Sequence, residues 1–132
     1  MKNFKILETR SFTEKKRGTL FAFDKIFKKY KIKNAFVISA TKNSSRGGHA
    51  HKKASQILVC LEGKIKTSIT DKFSTTILTL TEKKKKIVFI KPNNWLEIKF
   101  LTKGKILVFS DEEYKKNEYI NNFKKLNKNS KK

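Results

Sequence analysis

The run Arg46-Gly47-Gly48-His49-Ala50-His51-Lys52-Lys53, followed after two residues by Gln56-Ile57-Leu58-Val59-Cys60-Leu61-Glu62-Gly63, carries both histidines of this 132-residue chain. Successive residues of a strand point to opposite faces, so positions two apart share one. If the segment is extended, His49 and His51 project into the same space, and a paired-imidazole site is the first expectation. The apolar stretch after Gln56 reads as a strand that ends in the turn Glu62-Gly63.

On either side of this stretch the pattern repeats as short apolar or alternating runs divided by turn signals, which predicts an all-β protein. Candidate strands are Phe4 to Leu7, Thr19 to Phe23, Ala35 to Ser39, Gln56 to Leu61, Lys64 to Thr70, Thr75 to Leu80, Ile87 to Ile90, Leu96 to Leu101 and Lys105 to Ser110. Breaks fall at Asp71-Lys72, Lys91-Pro92-Asn93-Asn94 and Lys103-Gly104. A spacing of about ten residues suggests a sandwich or barrel. Near the end the period changes. Asp111 reads as an N-cap, and Tyr114, Ile120, Phe123 and Leu126 recur with helical spacing, so one C-terminal helix is expected to pack across the barrel. The chain reads as one domain, residues 1–126, with a disordered lysine-rich tail from Asn127 to Lys132.

Composition narrows the class. Cys60 is the single cysteine, which rules out an intramolecular disulfide, and its apolar neighbours make it a small buried hydrophobe. The N-terminus lacks the apolar stretch of a signal peptide, and no run approaches a membrane span, so a cytoplasmic protein is expected. The net charge of +22 comes from 33 basic and 11 acidic residues and invites a nucleic-acid reading. Against it, only Arg10, Arg17 and Arg46 are arginines, whereas base-edge and bidentate phosphate readout favour the planar guanidinium. Lysine spread along the chain beside ten asparagines is the mixture an AT-rich genome imposes on solvated positions. What survives is an attraction for anionic small molecules, pyrophosphates included.

The histidine segment resembles the first cupin signature, a glycine, His-x-His, a glutamate and a later glycine. The second signature resembles Ile90-Lys91-Pro92-Asn93-Asn94-Trp95-Leu96. Gln56 stands at the ligand glutamate and Leu96 at the third histidine. Two imidazoles and a neutral amide are a poor donor set for a divalent metal, so no metal is expected. The histidines are then available for proton transfer near neutrality.

Arg46-Gly47-Gly48-His49-Ala50-His51 is similar to the Arg-Gly-x-His-Ala-His segment of the dTDP-4-keto-6-deoxyglucose 3,4-ketoisomerases, the WxcM-like sugar ketoisomerase cupins. Arg17-Gly18-Thr19-Leu20, Pro92-Asn93-Asn94-Trp95 and Phe109-Ser110-Asp111-Glu112-Glu113-Tyr114, leading into Tyr119-Ile120-Asn121-Asn122-Phe123, agree with it. The resemblance implies a cytoplasmic homodimer that moves the keto group of a dTDP-linked 4-keto-6-deoxy sugar from C4 to C3 without a cofactor. Its product would feed aminotransferases that make 3-amino-3,6-dideoxy sugars for surface glycans. It assigns His49 as the acid/base at carbon and His51 as its partner, an assignment that can be reversed. Arg46 and Arg17 become the holders of the pyrophosphate or of sugar oxygens. Trp95 would stack on the base or line the sugar pocket.

Two departures matter. Phe36 stands where the family commonly has a tyrosine before the histidine motif, and Leu96 where a histidine is usual after the tryptophan. The Arg17-Gly18 pair leans the product toward the galacto isomer. A sugar-nucleotide-binding cupin without turnover and a basic nucleic-acid-binding protein are the competing readings. The dimer is expected to form through Phe4-Lys5-Ile6-Leu7, a run short enough to complete a neighbour's sheet.

Overall fold

The computed structural model describes residues 4–83, 86–113 and 119–120. Strands β1 (Phe4–Leu7), β2 (Arg10–Glu14) and β3 (Gly18–Ala22) precede a short helix α1 (Asp24–Tyr30). After it come β4 (Asn34–Ala40), β5 (Ser45–His51), β6 (Gln56–Glu62), β7 (Lys64–Thr70), β8 (Thr75–Thr81), β9 (Ile87–Ile90), β10 (Trp95–Phe100), β11 (Gly104–Ser110) and β12 (Tyr119–Ile120). Two five-stranded sheets result, β1-β9-β6-β11-β4 and β12-β5-β10-β7-β8, with β2 and β3 forming a hairpin of their own. Neighbouring strands are antiparallel, β7 and β8 as a hairpin and most others as pairs of strands distant in the chain. The all-β reading stands.

The sheets enclose the main core, in which Leu58, Ile65, Leu80, Val88, Phe100 and Ile106 are fully buried. A second cluster fills the outer side of the first sheet, where Ile26 of α1 packs on Ile57, Val59, Ile87, Phe89 and Phe109. Strand β6 is thus covered on both faces, which is why Ile57-Leu58-Val59-Cys60 is continuously apolar instead of alternating. Burying each such side chain stabilises the fold by about 1.5–3 kcal/mol.

Three expectations are corrected. The helix among the described residues is α1, near the N-terminus, where Phe23, Ile26, Phe27 and Tyr30 supply a helical apolar period and Phe23 and Phe27 meet Phe109 edge to face at 5.3 and 5.1 Å. Tyr119 and Ile120, expected within a C-terminal helix, pair as β12 with His51 and Ala50. Asp111, expected to cap that helix, accepts the Ser55 amide at 2.8 Å and so ties the loop after β5 to the end of β11. Residues 114–118 and 121–132, with the remaining helix positions and the tail, lie outside the described residues. Strand β1 pairs with β9 of its own chain and forms an edge of the first sheet.

Candidate active site

A bulge decides how the histidine strand faces the barrel. On β10, Glu97 pairs with Gly47 and the next residue, Leu96, with His49. Gly48 is the extra residue, so two steps on β5 answer one on β10. Arg46 pairs with Ile98. Arg46 and His49 are three apart and an unbroken strand would set them on opposite faces; the bulge sets both opposite Ile98 and Leu96, which share the buried inner face of β10. His51 follows two positions on.

The two glycines make this possible in different ways. Gly47 (φ 94°) and Gly48 (φ 69°) both adopt left-handed backbone, which costs other residues about 1–2 kcal/mol. A Cβ on Gly47 would also stand 2.5 Å from the Leu96 carbonyl oxygen, whereas one on Gly48 would meet open space. At Gly47, β10 leaves no room for a side chain. The second motif locks the far end: the Asn93 amide donates to the His51 carbonyl at 2.8 Å, and the Asn94 side chain donates to the Lys91 and Pro92 carbonyls at 3.0 and 3.2 Å.

Between the sheets lies a cavity of about 390 Å³, within the 300–1,000 Å³ range of small-molecule sites. The second sheet lines it with Ser45, Arg46, Gly47, Leu96 and Ile98, and the first with Phe36, Ile38, Gln56, Leu58 and Val108. Arg46, Phe36 and Leu96 therefore meet in one space. The backbone of His49 pairs with that of Leu96, and both ring nitrogens of His51 are shielded from solvent.

Two expected site residues lie elsewhere. Trp95 is on the other face of β10 and packs against buried Ala50. Arg17 sits at the tip of the β2–β3 hairpin, 79% exposed, with its guanidinium 3.3 Å from Glu14 of the same turn. One lining residue was noticed only as a failed metal ligand: Gln56. Its alternation with Leu58 and Cys60 on β6 is the signal that places it on the inner face. Among the described residues no three His, Cys, Asp or Glu side chains converge.

The profile of the family described as FdtA, WxcM-like, C-terminal, matches residues 2–131. The chain belongs to this family. It is 32% identical over 115 residues to the TDP-4-oxo-6-deoxy-α-D-glucose-3,4-oxoisomerase of Aneurinibacillus thermoaerophilus, an alignment covering 83% of this chain and 82% of that one. Its fold superposes on QdtA, the sugar 3,4-ketoisomerase of Thermoanaerobacterium thermosaccharolyticum crystallised with TDP, with a TM-score of 0.89 and 28% identity over 98% of this chain and 95% of that one. A 3,4-ketoisomerase from Helicobacter canadensis gives 0.86 and 29%, over 96% of each chain. The family and the cupin-like fold implied by the histidine motif are both borne out.

Proposed function

We propose that this chain isomerises a TDP-linked 4-keto-6-deoxy sugar to its 3-keto isomer within the cavity between the sheets. The observation that carries the reading is the Gly-Gly bulge, which sets Arg46 in register with Ile98 and His49 with Leu96, where Arg46, Leu96 and Ile98 line a space of substrate size. The relatives support it by their own substrates; a His→Asn variant of the Thermoanaerobacterium enzyme was crystallised with TDP-4-keto-6-deoxyglucose.

The chemistry needs proton transfer only. A base removes the C3 proton, the electron pair moves through C3–C4 onto the C4 carbonyl oxygen, and that oxygen is protonated to give an enediol. The C3 hydroxyl then loses its proton, C3 becomes the carbonyl, and C4 receives a proton. Carbon is oxidised at C3 and reduced at C4 within one molecule, so the balance calls for no external oxidant or reductant. We assign His49 as the base at carbon, His51 as the relay between oxygens, and Arg46 as the cation that holds the pyrophosphate or polarises an oxygen.

The hairpin supports a homodimer. Phe12 and Leu20 pair directly across β2 and β3 yet are 55% and 59% exposed. Strand β4 is a sheet edge with Phe36 and Val37 exposed. A second copy's hairpin laid along β4 would cover both and bring its Arg17 to the wall that Phe36 and Ile38 form. The Arg17-Gly18 pair favours the galacto product. We place the reaction in the cytoplasm, ahead of an aminotransfer at C3 that leads to a 3-amino-3,6-dideoxy sugar of a surface glycan. Incubation with dTDP-4-keto-6-deoxyglucose in deuterated water, followed by NMR, tests the assignment. Deuterium in the sugar and a 3-keto product whose couplings show an axial C4 hydroxyl are expected; neither exchange nor product would overturn it.

A further inference from the structure

Gln56 opens β6 with its backbone paired to Ile90 and Ser110. Its side chain alternates with those of Leu58 and Cys60 on the inner face and is only 6% exposed. It lines the cavity across from Arg46 and Leu96. No protein group among the described residues hydrogen-bonds its carboxamide. A primary amide carries two donors and an acceptor of two lone pairs, and neither Oε1 nor Nε2 of Gln56 is among the shielded side-chain atoms without a partner, so the amide opens on the cavity. Apart from Ser45, Arg46 and Gly47 at one side, the other walls, Phe36, Ile38, Leu58, Leu96, Ile98 and Val108, are apolar. A leucine at position 56 would suit such a wall better unless the amide has a partner that arrives with the ligand.

We propose that Gln56 is the residue that grips the reacting edge of the sugar, its Nε2 donating to the keto oxygen and its Oε1 accepting from the neighbouring hydroxyl. This rests on the isomerase reading and goes beyond it by naming the group that recognises the ketol. The substrate offers a carbonyl at C4 and a hydroxyl at C3; the product offers them in the reverse order. An amide has a donor end and an acceptor end, and a half-turn about its last bond exchanges them, so one side chain complements substrate and product alike. Being neutral, it neither repels the negative charge that develops on the enediolate nor competes with the histidines for the proton.

The test compares wild type with Gln56→Met, which keeps length and removes the amide, and with Gln56→Glu and Gln56→Asn. Calorimetry with TDP alone and with dTDP-4-keto-6-deoxyglucose separates the nucleotide from the ketol, and NMR gives kcat and KM. Gln56→Met is expected to melt at or above the wild-type temperature and to bind TDP as wild type does. It should lose roughly 10- to 100-fold in keto-sugar affinity and in kcat/KM, the equivalent of one or two hydrogen bonds. Gln56→Glu should lose more, most of it in kcat, because an ionised carboxylate opposes the enediolate. Gln56→Asn retains part of the preference for the keto sugar and reports on the site if the methionine variant does not fold. Equal losses for TDP and keto sugar, or kcat/KM within twofold of wild type in Gln56→Met, would overturn the inference. If wild type shows no turnover, the isomerase reading fails, while the difference between TDP and keto-sugar binding still decides the role of Gln56.

Discussion

The barrel and the β2–β3 hairpin are built from the same antiparallel pairing, yet only the barrel buries what it makes. Every strand of the two large sheets pairs with a neighbour, and β1, β4 and β6 to β11 place residues in or against one of two buried clusters. The hairpin pairs only with itself, all of β2 is exposed, and its Phe12–Leu20 pair faces solvent. Two strands alone are marginal in water. In the dimer we propose, a second copy completes the hairpin, and the exposed edge of β4 offers it matching apolar residues. The barrel's demands are steric and internal; the hairpin's, in the dimer we propose, are set by a partner.

The most damaging change should therefore fall where the barrel is tightest. Gly47→Ala meets both the left-handed backbone and the Leu96 carbonyl oxygen at 2.5 Å, and should cost more than about 3 kcal/mol or prevent folding, since overpacking adds to the backbone penalty. Gly48→Ala, with open space around it, should cost about 1–2 kcal/mol. Urea unfolding of the two variants is the comparison; equal losses would mean that the bulge is not held by contact with β10.

Next come the histidines, whose effect should fall on rate and not on fold. His49→Asn and His51→Asn should each lower kcat by roughly 10²- to 10⁴-fold, the range for positioned acid–base groups. His49→Asn should also stop solvent deuterium from entering the sugar, whereas His51→Asn should retain some exchange as the enediol forms and collapses back. Near wild-type turnover in both variants would make the pair structural.

Much of the barrel was legible because alternation and turn residues act locally. Lys64 to Thr70 and Ile87 to Ile90 were bounded as they stand, and the paired histidines lie on one strand as their spacing required. What was not legible arises from contacts distant in sequence. The bulge that sets Arg46 and His49 opposite Ile98 and Leu96 depends on the register of β10, about fifty residues later. Trp95 looked like a ligand platform, but the bulge and the pleat leave it against Ala50 on the opposite face. Helix α1 was missed because its apolar residues follow β3 without a capping side chain, so the run through Phe23 reads as more strand. Asp111 has the residue type of a cap, but the Ser55 amide claims its carboxylate.

The hairpin gives a smaller, more selective effect. Phe12→Lys together with Leu20→Lys should leave the barrel's melting transition in place while shifting the mass in light scattering from a dimer toward the 15.4 kDa of one chain. Turnover should fall roughly tenfold if the partner's Arg17 supplies one charge-assisted contact to the substrate. A dimer that survives both lysines would move the interface elsewhere.

The smallest effect should come from Arg10, at the hairpin's root. Its guanidinium lies 2.8 Å from the Asp24 carboxylate, with both side chains about half exposed, and exposed pairs contribute little after side-chain ordering and screening. Partial desolvation would raise the Asp24 carboxyl, but the hydrogen bond and charge of Arg10 outweigh it and hold the group below its ordinary value. A carboxyl depressed in the folded state contributes stability above its unfolded pKa and loses it as the pH falls through the folded one. Whatever difference separates Arg10→Ala from wild type should therefore be present at neutral pH and fade in acid. Dimer mass and turnover should change least, because Arg10 anchors the hairpin to α1 and reaches the Phe12–Leu20 surface only through its guanidinium, 5.8 Å over the Phe12 ring, an exposed contact of about 0.5–1 kcal/mol. If Arg10→Ala dissociates the dimer as the double lysine variant does, the hairpin's orientation, and not its apolar pair, is what the partner reads.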